Sequence, residues 1–185
     1  MSKIFRLKSN FVDFSVFIEA DNDDSDSIMG LSMAQKWKAF KGLGPVQLEL
    51  KKSDTGKKNY QSDISSFLSP FYVLSDIALD KLGDIFLPGG QVLPVITDSK
   101  KKAFSGYYPT RSLSGCFDRE NSIFRETEHG LIIEKPVLKA DNITDEYLFS
   151  IEEDISRVFV TDAFKRRVEE AGLLGFDFSV EIPTT

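Results

Sequence analysis

Short runs of alternating apolar and polar residues dominate the chain, and two of them lead into a hydroxyl, an acid and a stretch of helical period. Val158-Phe159-Val160 is a β-rich run, and Thr161 after it can accept a hydrogen bond from an orphan amide at a helix start. Asp162 then places negative charge at the positive helix end. Phe164, Val168 and Ala171 form one apolar stripe, with Lys165, Arg166, Glu169 and Glu170 on the opposite face. The pattern predicts an amphipathic helix closed by Gly172 and a half-buried strand through Phe176, Phe178 and Val180. The same order occurs earlier: Tyr72-Val73-Leu74 as strand, Ser75 as cap, Asp76 as first-turn acid, and Ile77, Ala78, Leu79 and Leu82 as helix positions before Gly83. Leu87-Pro88-Gly89-Gly90 reads as a tight connection to a strand over Gln91-Val92-Leu93-Pro94-Val95.

The remaining pattern is mostly of period two. Ile4 to Leu7 reads as an edge strand, and Val12, Phe14, Val16 and Ile18 alternate with a polar set that Phe17 breaks. Phe17 either covers a second hydrophobic surface or stands at a binding face. Met29, Met33, Trp37 and Phe40 predict a helix from Ser27, stopped by Gly42-Leu43-Gly44-Pro45. Val46, Leu48 and Leu50 predict a strand, as do Tyr147, Phe149 and Ile151, whereas 97–125 carries few signals. Leu131-Ile132-Ile133 and Val137-Leu138 are apolar runs parted by Pro136, which argues for an edge or a bulge. The sum is an α+β fold: a single compact domain over 1–185, with two strand-helix-strand units on mixed or antiparallel sheet.

Composition narrows the function classes. Hydrophobic residues make up 41% of the chain and 16 of them are Phe, enough for a substantial core. A single cysteine, Cys116, excludes an internal disulfide and suits a reducing cytoplasm. No apolar run approaches the roughly 20 residues that span a bilayer, so a cytoplasmic protein without a membrane partner is expected. A net charge of -6 disfavours phosphate backbones and anionic lipid and favours basic partners. Asp21-Asn22-Asp23-Asp24-Ser25-Asp26 concentrates that charge. A calcium loop would need Gly at the sixth place and Glu at the twelfth, which here hold Asp26 and Ser32. The stretch is therefore either a solvated helix entry or an anionic patch facing a partner.

Catalytic patterns are sparse. His129 is the one histidine, and a nucleophile from Ser112, Ser114 or Cys116 would have to find it in space without a Gly-x-Ser-x-Gly elbow. Gly42-Leu43-Gly44 runs into Pro45 and Gly89-Gly90 lacks a following Gly-Lys-Ser/Thr, so neither is a phosphate cradle. No metal and no cofactor is expected. Paired carboxylates stay open as a catalytic class with 29 acids present. Lys51-Lys52, Lys57-Lys58 and Lys100-Lys101-Lys102, with Tyr60 and Tyr107-Tyr108, permit a nucleic-acid surface, but the net charge opposes it and no nucleic-acid partner is expected.

Over 65–180 the order of these pieces resembles a family of bacterial immunity proteins, the antidotes that accompany polymorphic toxins. The similarity lies in Leu74-Ser75-Asp76 before a helix, Leu93-Pro94-Val95, Tyr147-Leu148-Phe149, and above all Phe159-Val160-Thr161-Asp162 through Gly175-Phe176-Asp177-Phe178. Residues 63–185 are family-like, and 1–62, matching loosely through Trp37, Val46 to Leu50 and Asp63, form a variable N-terminal part. The resemblance implies a cytosolic protein that binds and neutralises a cognate toxin by occluding it. Charge suggests a toxin with a basic surface, met by the partner-binding candidates Phe17, Asp21, Asp23, Asp24 and Asp26. The alternatives are a hydrolase or transferase using acidic residues, or a non-catalytic scaffolding domain.

Overall fold

The computed structural model describes residues 2–20 and 26–185. In chain order its elements are β1 (Ile4–Arg6), β2 (Lys8–Ser9), β3 (Val16–Glu19), α1 (Ile28–Gln35), β4 (Val46–Lys51), β5 (Ile64–Ser65), β6 (Tyr72–Ser75), α2 (Asp76–Lys81), α3 (Gly83–Gly89), β7 (Gly90–Leu93) and β8 (Val95–Ile96). There follow β9 (Phe104–Pro109), β10 (Ser112–Leu113), β11 (Ile123–Thr127), β12 (Gly130–Lys135), β13 (Leu148–Ile151), β14 (Asp154–Thr161), α4 (Asp162–Glu170), β15 (Phe176–Asp177) and β16 (Glu181–Ile182). The domain is α+β, with antiparallel and mixed sheets.

Two sheets organise it, one in the order β5-β6-β9-β7 and one in the order β10-β13-β14-β1-β16. Their central strands are buried on both faces, so they read as unbroken apolar runs and successive side chains enter different cores. Tyr72, Leu74 and Tyr107 of the first sheet meet Leu148, Val158 and Val160 of the second in a shared cluster with Ala78, Ile85, Phe86, Phe164 and Val168 of α2, α3 and α4. Val73 and Tyr108 turn the other way, toward Phe17, Ile28, Val46 and Leu48. Phe149, Ile151 and Phe159 turn away on the second sheet, toward Cys116, Phe117 and Ile133. The protein thus has a common centre between the sheets and a covered outer face on each.

Each helical unit is local in origin. Ser75 Oγ accepts from Ala78 N at 3.0 Å and Thr161 Oγ1 from Phe164 N at 3.4 Å, each hydroxyl satisfying one orphan donor at a helix start. Both units place an antiparallel strand between their own two: β9 lies between β6 and β7, while β1 pairs with β14 and its continuation β2 pairs with β15.

The units are joined at Asp63, only 4% exposed. Its Oδ1 accepts from Ser75 Oγ at 2.7 Å and lies 2.9 Å from Lys102 Nζ, while Oδ2 accepts from Leu174 N at 2.7 Å. Its backbone N donates to Leu174 O at 2.9 Å and its carbonyl accepts from Ser75 N at 3.0 Å. One residue therefore fixes the start of α2 against the segment leaving α4. Gly175 next to it has φ +87, and a side chain there would fall on Ser62 Oγ.

Several sequence expectations are corrected. Ile4 to Arg6 is not an edge, because β1 lies between β14 and β16. The first helix ends before Gly83 as expected, at Lys81 with Leu82 as cap, but Gly83 opens a further helix, α3, and Leu87-Pro88-Gly89, expected as a connection, is its last turn. The strand expected from Val12 begins only at Val16. The strand after α4 is two residues long; Ser179 N bonds Asp177 Oδ1 at 2.8 Å, and the chain bends there to add β16 to β1.

Removing the Asp63 carboxylate takes the acceptor from a hydroxyl and a backbone amide together and the counter-charge from Lys102, whose ammonium keeps only the Gln61 and Ser62 carbonyls at 3.0 and 3.4 Å. Asp63→Ala is expected to cost on the order of 3–5 kcal/mol in urea unfolding. Asp63→Asn, which keeps one accepting oxygen, is expected to cost clearly less. A loss under about 1 kcal/mol for the alanine variant would contradict the joint.

Candidate functional site

The end of α1, the β11-β12 hairpin and the β13-β14 turn surround a cleft of about 530 Å³, lined by Met33, Lys36, Trp37, His129 to Ile133 and Glu152 to Arg157. Each wall has a separate cause. Helix α1 stops because Lys36 and Trp37 are both left-handed, at φ 46 and 65, a conformation costing an L-residue roughly 1–2 kcal/mol. Tyr108 holds them there: its hydroxyl accepts from Trp37 N at 2.9 Å and donates to Ser32 O at 2.7 Å. Gln91 clamps the chain beyond, Oε1 accepting from Phe40 N at 2.7 Å and Nε2 donating to Phe40 O at 3.0 Å. Among the described residues the buried Trp37 indole N–H has no acceptor, so this corner of the cleft combines backbone strain with an unpaired donor.

A hairpin of two strands is marginal alone. This one is anchored through Ile133 and Phe124 in the outer core and by Arg157 Nη2, which donates to Ile133 O at 2.9 Å. Its tip is ordered by Thr127 Oγ1, which accepts from His129 N at 3.2 Å and donates to Gly130 O at 2.9 Å. Ile132 and most of β11 stay exposed.

The third wall carries the acids, and Lys36 on the first is charged as well. Arg157 pairs with Asp154, which also accepts from Ser156 N at 2.9 Å. Glu152 is exposed and Glu153 half-buried, and among the described residues neither has a cation within salt-bridge distance. Burial pushes the Glu153 carboxyl up, the neighbouring Glu152 charge pushes it further, and Arg119 opposes this only in part. An uncompensated carboxylate pair beside exposed Met33 and Ile132 suits a cationic, partly apolar guest.

Phe17 is 4% exposed, 5.0 Å from the Phe104 ring and 6.0 Å from that of Tyr60. Of its two sequence readings the structure gives the covering role, and the ring is not displayed at a surface. Asp21, Asp23 and Asp24 lie outside the described residues. Asp26 is exposed and, with Glu19, borders a depression of about 440 Å³ at the start of α1. Glu19 is a cap as well: its carboxylate accepts from Ile28 N at 3.0 Å, and Ser27 Oγ accepts from Gly30 N at 3.1 Å. The eight residues of α1, about 12 Å long, separate this depression from the cleft. Met29 and Met33, the helix-spaced residues of the sequence pattern, are exposed on the way, while Ile28 and Ser32 are buried.

Nothing in the local sequence pattern sets Trp37 or Glu152-Glu153-Asp154 apart as parts of a site. The pairing of Arg157 with Asp154, which leaves the two glutamates uncompensated, has no signature in the chain. His129 is exposed at the hairpin tip, and no hydrogen bond joins its ring to Ser112, Ser114 or Cys116. Cys116 is fully buried, and burial raises its thiol pKa. Tyr107 and Tyr108 are buried with committed hydroxyls, and Lys102 serves Asp63, so the aromatic-basic surface read from them does not form. Among the described residues no His, Cys, Asp and Glu cluster could hold a metal, and no helix is long and apolar enough to cross a membrane. No family model matches the chain, and a search of curated proteins finds no match.

The fold favours protonated Glu153, so ionised Glu153 opposes folding above its raised pKa and stops doing so below the ordinary glutamate range. Glu153→Gln is therefore expected to melt above the native protein at neutral pH, with the gain fading as pH falls through that window. A gain independent of pH, or a lower melting temperature at neutral pH, would contradict an uncompensated acid.

Proposed function

We propose that this is a cytosolic immunity protein that binds a cognate bacterial toxin domain and neutralises it by occlusion. The observation that carries the reading is the exposed strip along α1, from Asp26 past Met29 and Met33 to the cleft with its unpaired Glu152 and Glu153. Methionines give adaptable apolar contact and the carboxylates attract a basic surface, such as the substrate cleft of a toxin acting on an anionic polymer. The sequence resemblance points the same way. A net charge of -6 would speed encounter with such a partner at low salt.

The raised carboxyl of Glu153 is the one observation favouring the alternative, acid-based catalysis. Against it, the cleft lies open between a hairpin and a turn, and its third carboxylate, Asp154, is held by Arg157.

Expression of this protein is expected to restore growth to cells poisoned by the toxin domain encoded beside it; undiminished killing would contradict the reading. In a binding assay with that domain, Glu152→Lys with Glu153→Lys is expected to slow association about tenfold at low salt, the difference shrinking as salt rises. Asp23→Lys with Asp24→Lys tests the acidic stretch in the same way. An unchanged association rate at low salt removes the reversed pair from the interface.

A further inference from the structure

A second surface, of opposite character and built from other elements, collects exposed phenyl rings and cations. Phe11, in the turn after β2, is 39% exposed, and Phe67, in the turn after β5, is 45% exposed. With Arg6, Leu7, Lys8, Ser66, Ser69 and Val180 they wall a groove of about 310 Å³. Lys8 Nζ stands 4.9 Å from the Phe11 ring centroid, and Lys51 Nζ stands 4.5 Å from that of Phe67.

These rings are not exposed through slackness. The Phe11 turn is closed by Asn10 Oδ1, which accepts from Val12 N and Asp13 N at 3.1 Å each. It is also tied to the loop after β4, Asp54 N donating to Phe11 O at 3.0 Å and Thr55 N to Val12 O at 3.1 Å. The Phe67 turn is joined to β2 through Ser66, whose Oγ accepts from Ser9 N at 2.8 Å while its N donates to Ser9 Oγ at 3.1 Å. Two fixed turns thus hold two phenyl rings in water, at the cost of apolar exposure, which marks an anchor site more than a loose surface. The charge is also out of keeping with the chain. On a protein of net charge -6 the groove is lined by Arg6 and Lys8, and Lys51 stands over its Phe67 ring, with Asp177 at 4.0 Å from Lys8 the one acid paired to them among the described residues.

We propose that this groove docks an acidic segment of a partner protein. An aliphatic or aromatic side chain of that segment contacts Phe11 and Phe67, and flanking carboxylates meet Lys8, Lys51 and Arg6. An ammonium over a ring keeps donors free for a carboxylate, so the two cation–π pairs position the lysines without using up their donors, and the 4.0 Å contact of Lys8 with Asp177 still leaves it donors to spare. A single-stranded nucleic acid fits less well, because base stacking needs open ring faces and the lysines stand over these rings. The inference does not rest on toxin binding, and its test uses no toxin.

The probe is a short fluorescein-labelled peptide alternating glutamate with leucine, titrated into the full chain beside polyglutamate and oligothymidylate of equal length. The glutamate-leucine peptide is expected to bind most tightly. Its affinity should fall at least tenfold in Phe11→Ala with Phe67→Ala, and again in Lys8→Glu with Lys51→Glu, with circular dichroism confirming that both variants fold. Equal binding of polyglutamate, unchanged affinity in either variant, or no binding of the peptide would overturn the proposal. Preferential binding of oligothymidylate that is lost in the lysine variant would overturn it in favour of a nucleic-acid surface.

Discussion

The structure depends on one buried carboxylate. Asp63 belongs to the first helical unit by sequence, yet its second oxygen is held by the amide of Leu174, beyond the helix of the other unit. Charged groups are seldom this buried unless every lone pair is answered. Here the donors are Ser75, Leu174 and Lys102, one from each of three distant stretches. Because Ser75 also caps α2, the joint couples a helix start, a sheet edge and the exit from α4 in one network. Such networks specify a unique arrangement more than they add raw stability.

The same economy runs through the interior. Tyr72, Tyr107 and Tyr108 are almost fully buried, and each hydroxyl has a partner: Ser69, the Phe86 carbonyl, or the pair Ser32 and Trp37. Burial pushes Tyr72 up to about 12 and raises the other two as well, so all three remain protonated tethers at neutral pH. Tyr108 connects core to exterior, because the strand that carries it sets the left-handed end of α1 and with it one wall of the cleft. Binding surfaces placed on rigid elements in this way lose little entropy when a partner arrives. The two proposed surfaces are of opposite sign, and together they would let one small domain meet two kinds of partner.

Much of the fold was legible in the chain because its cues were local. Thr161-Asp162 and Ser75-Asp76 cap helices as their chemistry dictates, and Val158-Phe159-Val160 and Tyr72-Val73-Leu74 are strands. What was missed is tertiary. Strand β9, the centre of its sheet, was hidden in Phe104-Ser105-Gly106-Tyr107-Tyr108-Pro109, a stretch with few local signals. Gly106 is there because the Phe71 ring occupies the space of a side chain, and the tyrosines because their hydroxyls reach far-off carbonyls. In helix α1 the apolar spacing runs through Met29 and Met33, while the buried side, Ile28 and Ser32, is chosen by β9 and the sheet over it. The cleft draws on three separate segments, and its uncompensated charge follows from which acid Arg157 selects. No local rule contains that choice.

Native-state hydrogen exchange tests the central claim, that the two units share one core and one joint. Amides of β6 and β9 should exchange through the same global opening as those of β14, with equal free energies and equal dependence on urea. If the two sets differed by more than about 2 kcal/mol, the units would be opening separately and Asp63 would be a local contact instead of the constraint described.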